Sequence, residues 1–356
     1  MVTIIEVARR AGVSTATVSR VLNGKTVRAD LAGAVRRAAA ELNYAPDRTA
    51  RSLRRRHSEV LALIIPDIEN PFFTALARAV EDRAHAGGYS VVLCNTDEDP
   101  DKEARYLAIA ESENMAGVLI APTDPTPKLR PLLDRGRAVV VLDRTTDVPV
   151  DHLTFDNVTL GRSATEALLR RGYSRIACIA GPAETSTAAE RAEGWRSALQ
   201  AAGLPPQQEL LLHTSFRLDG GRRATEELLA LPAPPQALVA SNNVVAVGAL
   251  QVLARHGHSP EDLGVSIIGD LPFATSPIEK LDLIPLRPQR MGHAAADRLL
   301  ARLQGDATPP QHVVLPTGEQ TADITETAEC ADTTDPTGST DPADPTDPAE
   351  SASATS

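Results

Sequence analysis

The chain is short of cysteine and of aromatics: three Cys, five Phe, four Tyr and one Trp in 356 residues. Cys94, Cys178 and Cys330 lie far apart, with neither metal-ligand spacing nor an even count for a disulfide framework, so they read as reduced thiols. No apolar run approaches the ~20 residues that span a bilayer, and no charged-then-apolar export signal opens the chain, so no membrane partner and a cytoplasmic location are expected. Catalytic signatures are missing too. There is no Gly-x-Ser-x-Gly elbow, phosphate loop, Gly-x-Gly-x-x-Gly after a strand, or His-Glu-x-x-His, so no enzyme activity, metal or cofactor is expected.

What is present is unevenly spread. Residues 1–57 contain twelve Lys/Arg against four acids, whereas residues 317–356 hold ten acids and no Lys or Arg, in a chain of net charge −11. Phosphate neutralisation is local, so the distribution and not the total decides whether a nucleic acid can bind. Within the basic end, Ile4, Val7, Ala8 and Ala11 repeat at helical spacing, Gly12 stands where a helix end wants positive φ, and Ser14 where the next helix wants a cap. In that next helix Val18, Val21 and Leu22 share one face, while Thr15, Ala16, Ser19 and Arg20 share the other. Two short helices joined by a tight turn, the second with a bare face of small residues and one cation, make a helix-turn-helix able to enter a DNA major groove.

A third helix, roughly 31–42, packs these two through Leu31, Val35, Ala38 and Leu42, with Asp30 as its expected cap and Arg28 as a phosphate contact. Arg48, Arg51, Arg54, Arg55 and Arg56 then surround Ala50 and Leu53 in a segment of about two turns, too short to be a stable helix alone. It reads either as a helix that forms only against DNA or as a basic linker touching phosphates.

From residue 59 the pattern changes to continuous apolar runs alternating with helical segments. Strands are predicted at 60–65, 89–94, 117–121 and 138–142, and after Asp156-Asn157 at 175–180, 210–213, 237–240 and 265–268. Such runs mean parallel sheets covered on both faces, here in two α/β units. Ligands of open parallel sheets sit beyond the strands' carboxyl ends. There the sequence places Asn70 with Phe72 and Phe73, Asp143-Arg144, Asp156-Asn157, the stretch 185–191, Phe216 and Asn242-Asn243. Polar groups with aromatic faces suit a small, polar, ring-containing ligand. Trp195 reads as core, and one of Phe72 and Phe73 does as well.

The run Ala11-Gly12-Val13-Ser14-Thr15-Ala16-Thr17-Val18-Ser19-Arg20-Val21-Leu22-Asn23-Gly24, with Glu41-Leu42-Asn43-Tyr44-Ala45-Pro46, resembles the headpiece of the lactose-repressor (LacI/GalR) family. The resemblance continues through Asn70-Pro71-Phe72-Phe73, Val141-Leu142-Asp143-Arg144, Gly172-Tyr173-Ser174-Arg175 and Ala246-Val247-Gly248-Ala249-Leu250 to about residue 316. It implies a multidomain fold: an all-α helix-turn-helix headpiece (1–46), a hinge helix or linker (47–58), and a periplasmic-binding-protein-like core of two α/β subdomains (59–156 with 286–304; 157–285 with 305–316). Beyond it, residues 317–356 are rich in Asp, Pro, Thr, Ala and Ser with almost nothing apolar to bury, and are expected to be a disordered acidic tail. The resemblance implies base reading by Thr15, Ala16 and Arg20, phosphate contacts from Thr3, Ser14, Thr17 and Asn23, and minor-groove insertion of Leu53 beside Arg48, Ala50 and Arg51. In the core it implies that Phe72 or Phe73 stacks on the effector, with Asp143, Arg191 and Phe216 around it and Thr187, Asn70 and Asn243 nearby.

The expected function is a dimeric repressor, or a higher oligomer, on a pseudo-palindromic double-stranded operator, controlled by a sugar, sugar derivative or nucleoside. A solute-binding protein and a nucleoid-type DNA binder are the rivals. Two departures bear on the effector: Asn242-Asn243 replaces the family's Asn-Asp, and Gly269-Asp270-Leu271-Pro272 shortens a cleft loop. For the acidic end, a solvated tail and a competitor of DNA for the headpiece both remain open.

Overall fold

The structure is a computed structural model that describes residues 2–22, 26–44, 58–259, 262–271 and 281–317. Three helices open it: α1 (Ile4–Ala11), α2 (Thr15–Leu22) and α3 (Ala29–Glu41). Thr3 and Glu6 form a reciprocal capping box on α1, and Gly12 closes that helix at φ 66°. Ser14 caps α2, its Oγ accepting from the Thr17 amide at 3.2 Å. Val7, Val18, Val21, Val35 and Ala38 interlock as the core of this small bundle. Asp30 does not cap α3 as expected. It lies within the first turn, where a carboxylate favours the helix dipole, and its side chain pairs with Arg28 at 2.6 Å. The phosphate contact expected of Arg28 thus competes with an internal partner. Asn23, Arg48, Ala50, Arg51 and Leu53 lie outside the described residues.

The remainder is two parallel sheets. The first contains β1 (Val60–Ile65), β2 (Ser90–Asn95), β3 (Gly117–Ile120), β4 (Ala138–Leu142), β5 (Asp151–Phe155) and β11 (His312–Leu315), in the order β11-β5-β4-β3-β1-β2. The second contains β6 (Ile176–Ala180), β7 (Leu211–His213), β8 (Ala237–Ala240), β9 (Gly264–Ile268) and β10 (Leu281–Ile284), ordered β10-β9-β8-β6-β7. Each order reverses beside its first strand, and such a switch point opens a crevice at the carboxyl ends. The crossovers are α4 (Pro71–Ala86), α5 (Pro100–Ser112) and α6 (Arg130–Asp134) in the first unit. In the second they are α7 (Asn157–Arg170), α8 (Ser186–Ala201), α9 (Leu218–Leu229) and α10 (Asn243–Arg255). A last helix, α11 (Pro288–Leu303), returns to pack on α4 and the first sheet. Trp195 is core, its Nε1 donating to the Ile176 carbonyl at 3.1 Å.

One boundary is corrected. Residues 305–316 were expected in the second subdomain, but β11 pairs in parallel with β5 of the first sheet. Asp151 at the start of β5 explains the choice. Its buried carboxylate accepts from Arg302 Nε at 2.7 Å, from the Gln311 amide at 2.9 Å, and pairs with Arg298 at 3.0 Å. Burial opposes ionisation of Asp151, yet the arginines and the amide outweigh it and hold the carboxyl below its usual range. The end of α11 and the strand after it are thereby fastened to the edge of the first sheet. Among the described residues no helix is long and apolar enough to cross a membrane.

A second buried carboxylate behaves oppositely. Glu103, in the first turn of α5, accepts from the Thr123 amide at 2.5 Å and is 1% exposed. Burial pushes its carboxyl up to about 7, against the backbone hydrogen bonds that favour the anion. A raised folded-state value means stability that is full below about pH 4.5 and lost as pH climbs through 7, on the order of 3 kcal/mol. Glu103→Gln removes this titration. Measured from pH 5 to 8, its melting midpoint is expected to gain several degrees relative to the unaltered chain, above any constant offset from the lost acceptor. A pH-independent difference would contradict the shift.

Candidate ligand cleft and nucleic-acid interface

On the headpiece, the inward residues of α2 are Val18 and Val21, and burying them leaves Thr15, Ala16 and Arg20 exposed together. Ser19 and Thr17 are half-buried beside them. The hydroxyls of Thr3 and Ser14 serve as helix caps, so the exposed amino ends of α1 and α2 carry both a capped backbone and a polar side chain. Such ends favour phosphate oxygens. The second helix therefore offers one long donor, Arg20, on an otherwise shallow surface.

In the core, the eight expected residues border one cavity of about 130 Å³ between the two sheets. The first sheet supplies Asn70, Phe72, Phe73 and Asp143; the second supplies Thr187, Arg191, Phe216 and Asn243. Asn70 also caps α4, accepting from the Phe72 amide at 3.0 Å. The two phenylalanines divide their work. Phe73 is 4% exposed and packs in the core, whereas Phe72 is half-buried, edge-on to Phe73 at 5.0 Å and to Phe155 at 6.3 Å. Phe216 forms an aromatic wall from the other subdomain. Its ring lies on Gly181, where a Cβ would stand 2.1 Å away, so only glycine admits it.

Between these rings stand two buried ions. Arg191 donates Nε to Asn157 at 2.9 Å and one Nη to the Ser241 carbonyl at 2.6 Å; the other Nη has no hydrogen bond among the described residues. Asp143 accepts no side-chain hydrogen bond among the described residues, and burial raises its pKa against the pull of Arg191 and Arg144. Its backbone has φ 62°, a left-handed conformation that aspartate tolerates better than most residues. Arg144 is already engaged, holding Glu98 bidentately (2.9 and 2.5 Å) and the Pro122 carbonyl at 2.9 Å. An open acceptor and an open donor, both buried, match a ligand rich in hydroxyls.

Sequence reasoning missed Asp67, Glu98 and Gln289 and met Asp270 only as part of the shortened cleft loop; all four line the cavity. Asp67 and Asp270 each follow a strand end, which was a usable signal, and burial raises the pKa of both. Asn242 turns inward to cap α10, accepting from the Val245 amide at 2.7 Å, with its Nδ2 on the Phe216 carbonyl. Asn243 accepts from the Val244 amide at 3.0 Å, which leaves its Nδ2 as a donor toward the cavity where an aspartate would offer only acceptors. Four acids against two arginines give the lining a formal charge of −2. Among the described residues no three His, Cys, Asp or Glu side chains cluster as a metal site would.

Comparison with known proteins matches residues 58–316 to the family described as "Periplasmic binding proteins and sugar binding domain of LacI family", and residues 3–47 to "Bacterial regulatory proteins, lacI family". The ribose operon repressor of Escherichia coli (strain K12) is 34% identical over 320 residues, covering 88% of this chain and 97% of that protein. A Lac repressor dimer bound to operator and the anti-inducer ONPF superposes with TM-score 0.78 at 26% identity, covering 88% of this chain and 96% of that one. A LacI family transcriptional regulator from Enterococcus faecium with bound ribose has TM-score 0.65 at 29% identity, covering 72% and 95%.

Proposed function

Because the chain belongs to the LacI family of bacterial regulatory proteins, and so is a DNA-binding transcriptional regulator, we propose that it represses as a dimer whose operator affinity is set by a neutral aldopentose such as ribose. The observation that carries the ligand class is the pairing of an open Asp143 carboxylate with an open Arg191 donor between the rings of Phe72 and Phe216. Hydroxyls on adjacent ring carbons offer donors to the first and acceptors to the second, while the apolar ring faces meet the aromatic walls. The cavity is of single-ring size, and its net negative lining opposes phosphorylated sugars. The ribose-bound relative and the ribose operon repressor support the same class.

A thermal-shift titration tests the ligand. At a concentration near 100 Kd, ribose adds about 2.7 kcal/mol of stability and raises the midpoint, while ribose 5-phosphate leaves it unmoved. No response to any neutral monosaccharide would refute the class. For the DNA side, Thr15, Ala16 and Arg20 are proposed as base readers, with Arg20 supplying the main hydrogen bonds to a guanine edge. Thr3, Ser14, Thr17, Ser19 and Asn23 are proposed on phosphates, and Arg48, Ala50, Arg51 and Leu53 at the minor groove. On a duplex selected from a random pool, Arg20→Ala is expected to weaken binding by about 10- to 100-fold, corresponding to ~1–3 kcal/mol, with a smaller loss on unselected DNA. Equal losses on both would assign Arg20 to the backbone. Ligand and operator are coupled reciprocally in this reading, because cleft closure moves the paired first subdomains of the dimer, each of which carries a headpiece.

A further inference from the structure

Behind the cavity wall, one buried amide stands where the chain crosses from the first sheet to the second unit. Strand β5 ends at Phe155, and α7 begins at Asn157. Arg191 lines the cavity, whereas Asn157 and Glu190 are not among the residues that border it. The Asn157 side chain, on a residue 3% exposed, has three protein partners. Its Oδ1 accepts from Arg191 Nε at 2.9 Å, and its Nδ2 donates to Glu190 Oε2 at 3.0 Å and to the Phe155 carbonyl at 3.2 Å. The polarity is fixed by these neighbours. Arg191 can only donate, and the Phe155 carbonyl and the Glu190 carboxylate only accept, so a carboxamide satisfies all three and a carboxylate does not. One turn further along α7, Gly161 lets the Arg191 backbone approach closely, which brings α8 within reach of the Asn157 side chain.

We propose that Asn157, oriented by Glu190, is a positioning residue for the effector: its amide sets the plane of the Arg191 guanidinium so that the remaining Nη faces the ligand. The proposal deepens the reading of the cleft as a sugar site and rests on it. A planar group anchored at one nitrogen can pivot about that bond. The Ser241 carbonyl supplies one anchor, on an Nη at 2.6 Å, and Asn157 supplies the second, on Nε, which fixes the plane before the ligand arrives. The same amide also refers this donor to the other half of the site. Its Nδ2 holds the last carbonyl of β5, and the ring of that residue, Phe155, packs edge-on to Phe72 at 6.3 Å. The guanidinium of one subdomain and the aromatic wall of the other are thus spaced through a single side chain at their crossing.

The test compares the natural chain with Asn157→Ala, Asn157→Asp, and each of these combined with Glu190→Gln. Ribose is titrated calorimetrically, and the NMR signal of the Arg191 Nε–H, identified by its loss in Arg191→Lys, is followed without ligand. Both single variants are expected to bind ribose at least about tenfold more weakly, because the ligand must then order its own donor. Asn157→Asp sets acceptor against acceptor, and Glu190→Gln turns one of them into a donor, so that double variant should return to within about threefold of the natural chain. Asn157→Ala has nothing left to orient and should gain nothing from Glu190→Gln. The Nε–H should be protected from solvent exchange in the natural chain and in the rescued double variant, and exposed to exchange in Asn157→Ala. A ribose Kd for Asn157→Ala within about twofold of the natural value, whatever happens to its melting midpoint, would overturn the proposal, as would equal rescue of both variants. Should Asn157→Asp fail to fold, Asn157→Ala and the double variants still decide. If the natural chain shows the protected signal but responds to no neutral monosaccharide, the sugar reading has failed, and survival of that signal in Asn157→Ala would separately overturn the positioning of Arg191.

Discussion

Arg191→Ala is expected to weaken ribose binding by at least about 100-fold and to abolish the ligand-dependent change in operator affinity, while operator binding without ligand persists. The side chain is more than a ligand contact. Its Nε and one Nη tie α8 to Asn157 at the head of α7 and to the end of β8 through the Ser241 carbonyl. Truncation leaves these partners open and strips the buried Asp143 of its main counter-charge. Leaving these buried polar partners unfilled costs stability, and the loss of the nearby positive charge is softened because Asp143, already raised, can take up a proton. The melting midpoint should therefore fall, and adding Asp143→Asn should restore part of it without restoring ligand. Calorimetric titration gives the binding result directly, and an unchanged ribose Kd would remove Arg191 from the site.

The largest expected loss of stability comes from two glycines at the crossing of α7 and α8. A Cβ on Gly161 would lie 2.1 Å from the Arg191 carbonyl oxygen, and one on Gly194 would lie 2.1 Å from that of Val158. Neither neighbour is a side chain that can swing aside, so the helices must separate and unpack the core beneath them. Gly161→Ala and Gly194→Ala are each expected to cost about 2–4 kcal/mol in urea unfolding. The double variant should cost less than the sum, because one separation of the helices relieves both clashes. A loss below about 0.5 kcal/mol would mean that the crossing is loose. Since α8 also carries Arg191, Gly161→Ala should weaken ribose binding as well.

Much of this was legible in the sequence because fully buried parallel strands are unbroken apolar runs. β1, β4 and β8 occupy the spans expected of them, and β2 is displaced by one residue. Two of the four edge strands were not legible: β10 is Leu-Asp-Leu-Ile and β11 is His-Val-Val-Leu, short and partly exposed. Which sheet receives β11 depends on Asp151 meeting Arg298 and Arg302 across some 150 residues, a contact with no local signature. In the cleft, the residues found in advance follow strand ends or resemble the family. Glu98 was missed because it approaches the cavity through a turn in which Asp97 and Glu98 both have φ 58° and because Arg144, reached from another strand, holds it there.

The left-handed backbone at Asp143 limits how this cleft can diversify. Only glycine, asparagine and aspartate occupy φ near 62° at small cost, so that corner can change charge or lose its side chain but cannot readily gain bulk. Thr187, on an ordinary helix, and Gln289, at the start of another, carry no such restriction. New effector preferences in descendants of this chain should therefore arise by substitution at those helical positions around a nearly fixed acidic corner.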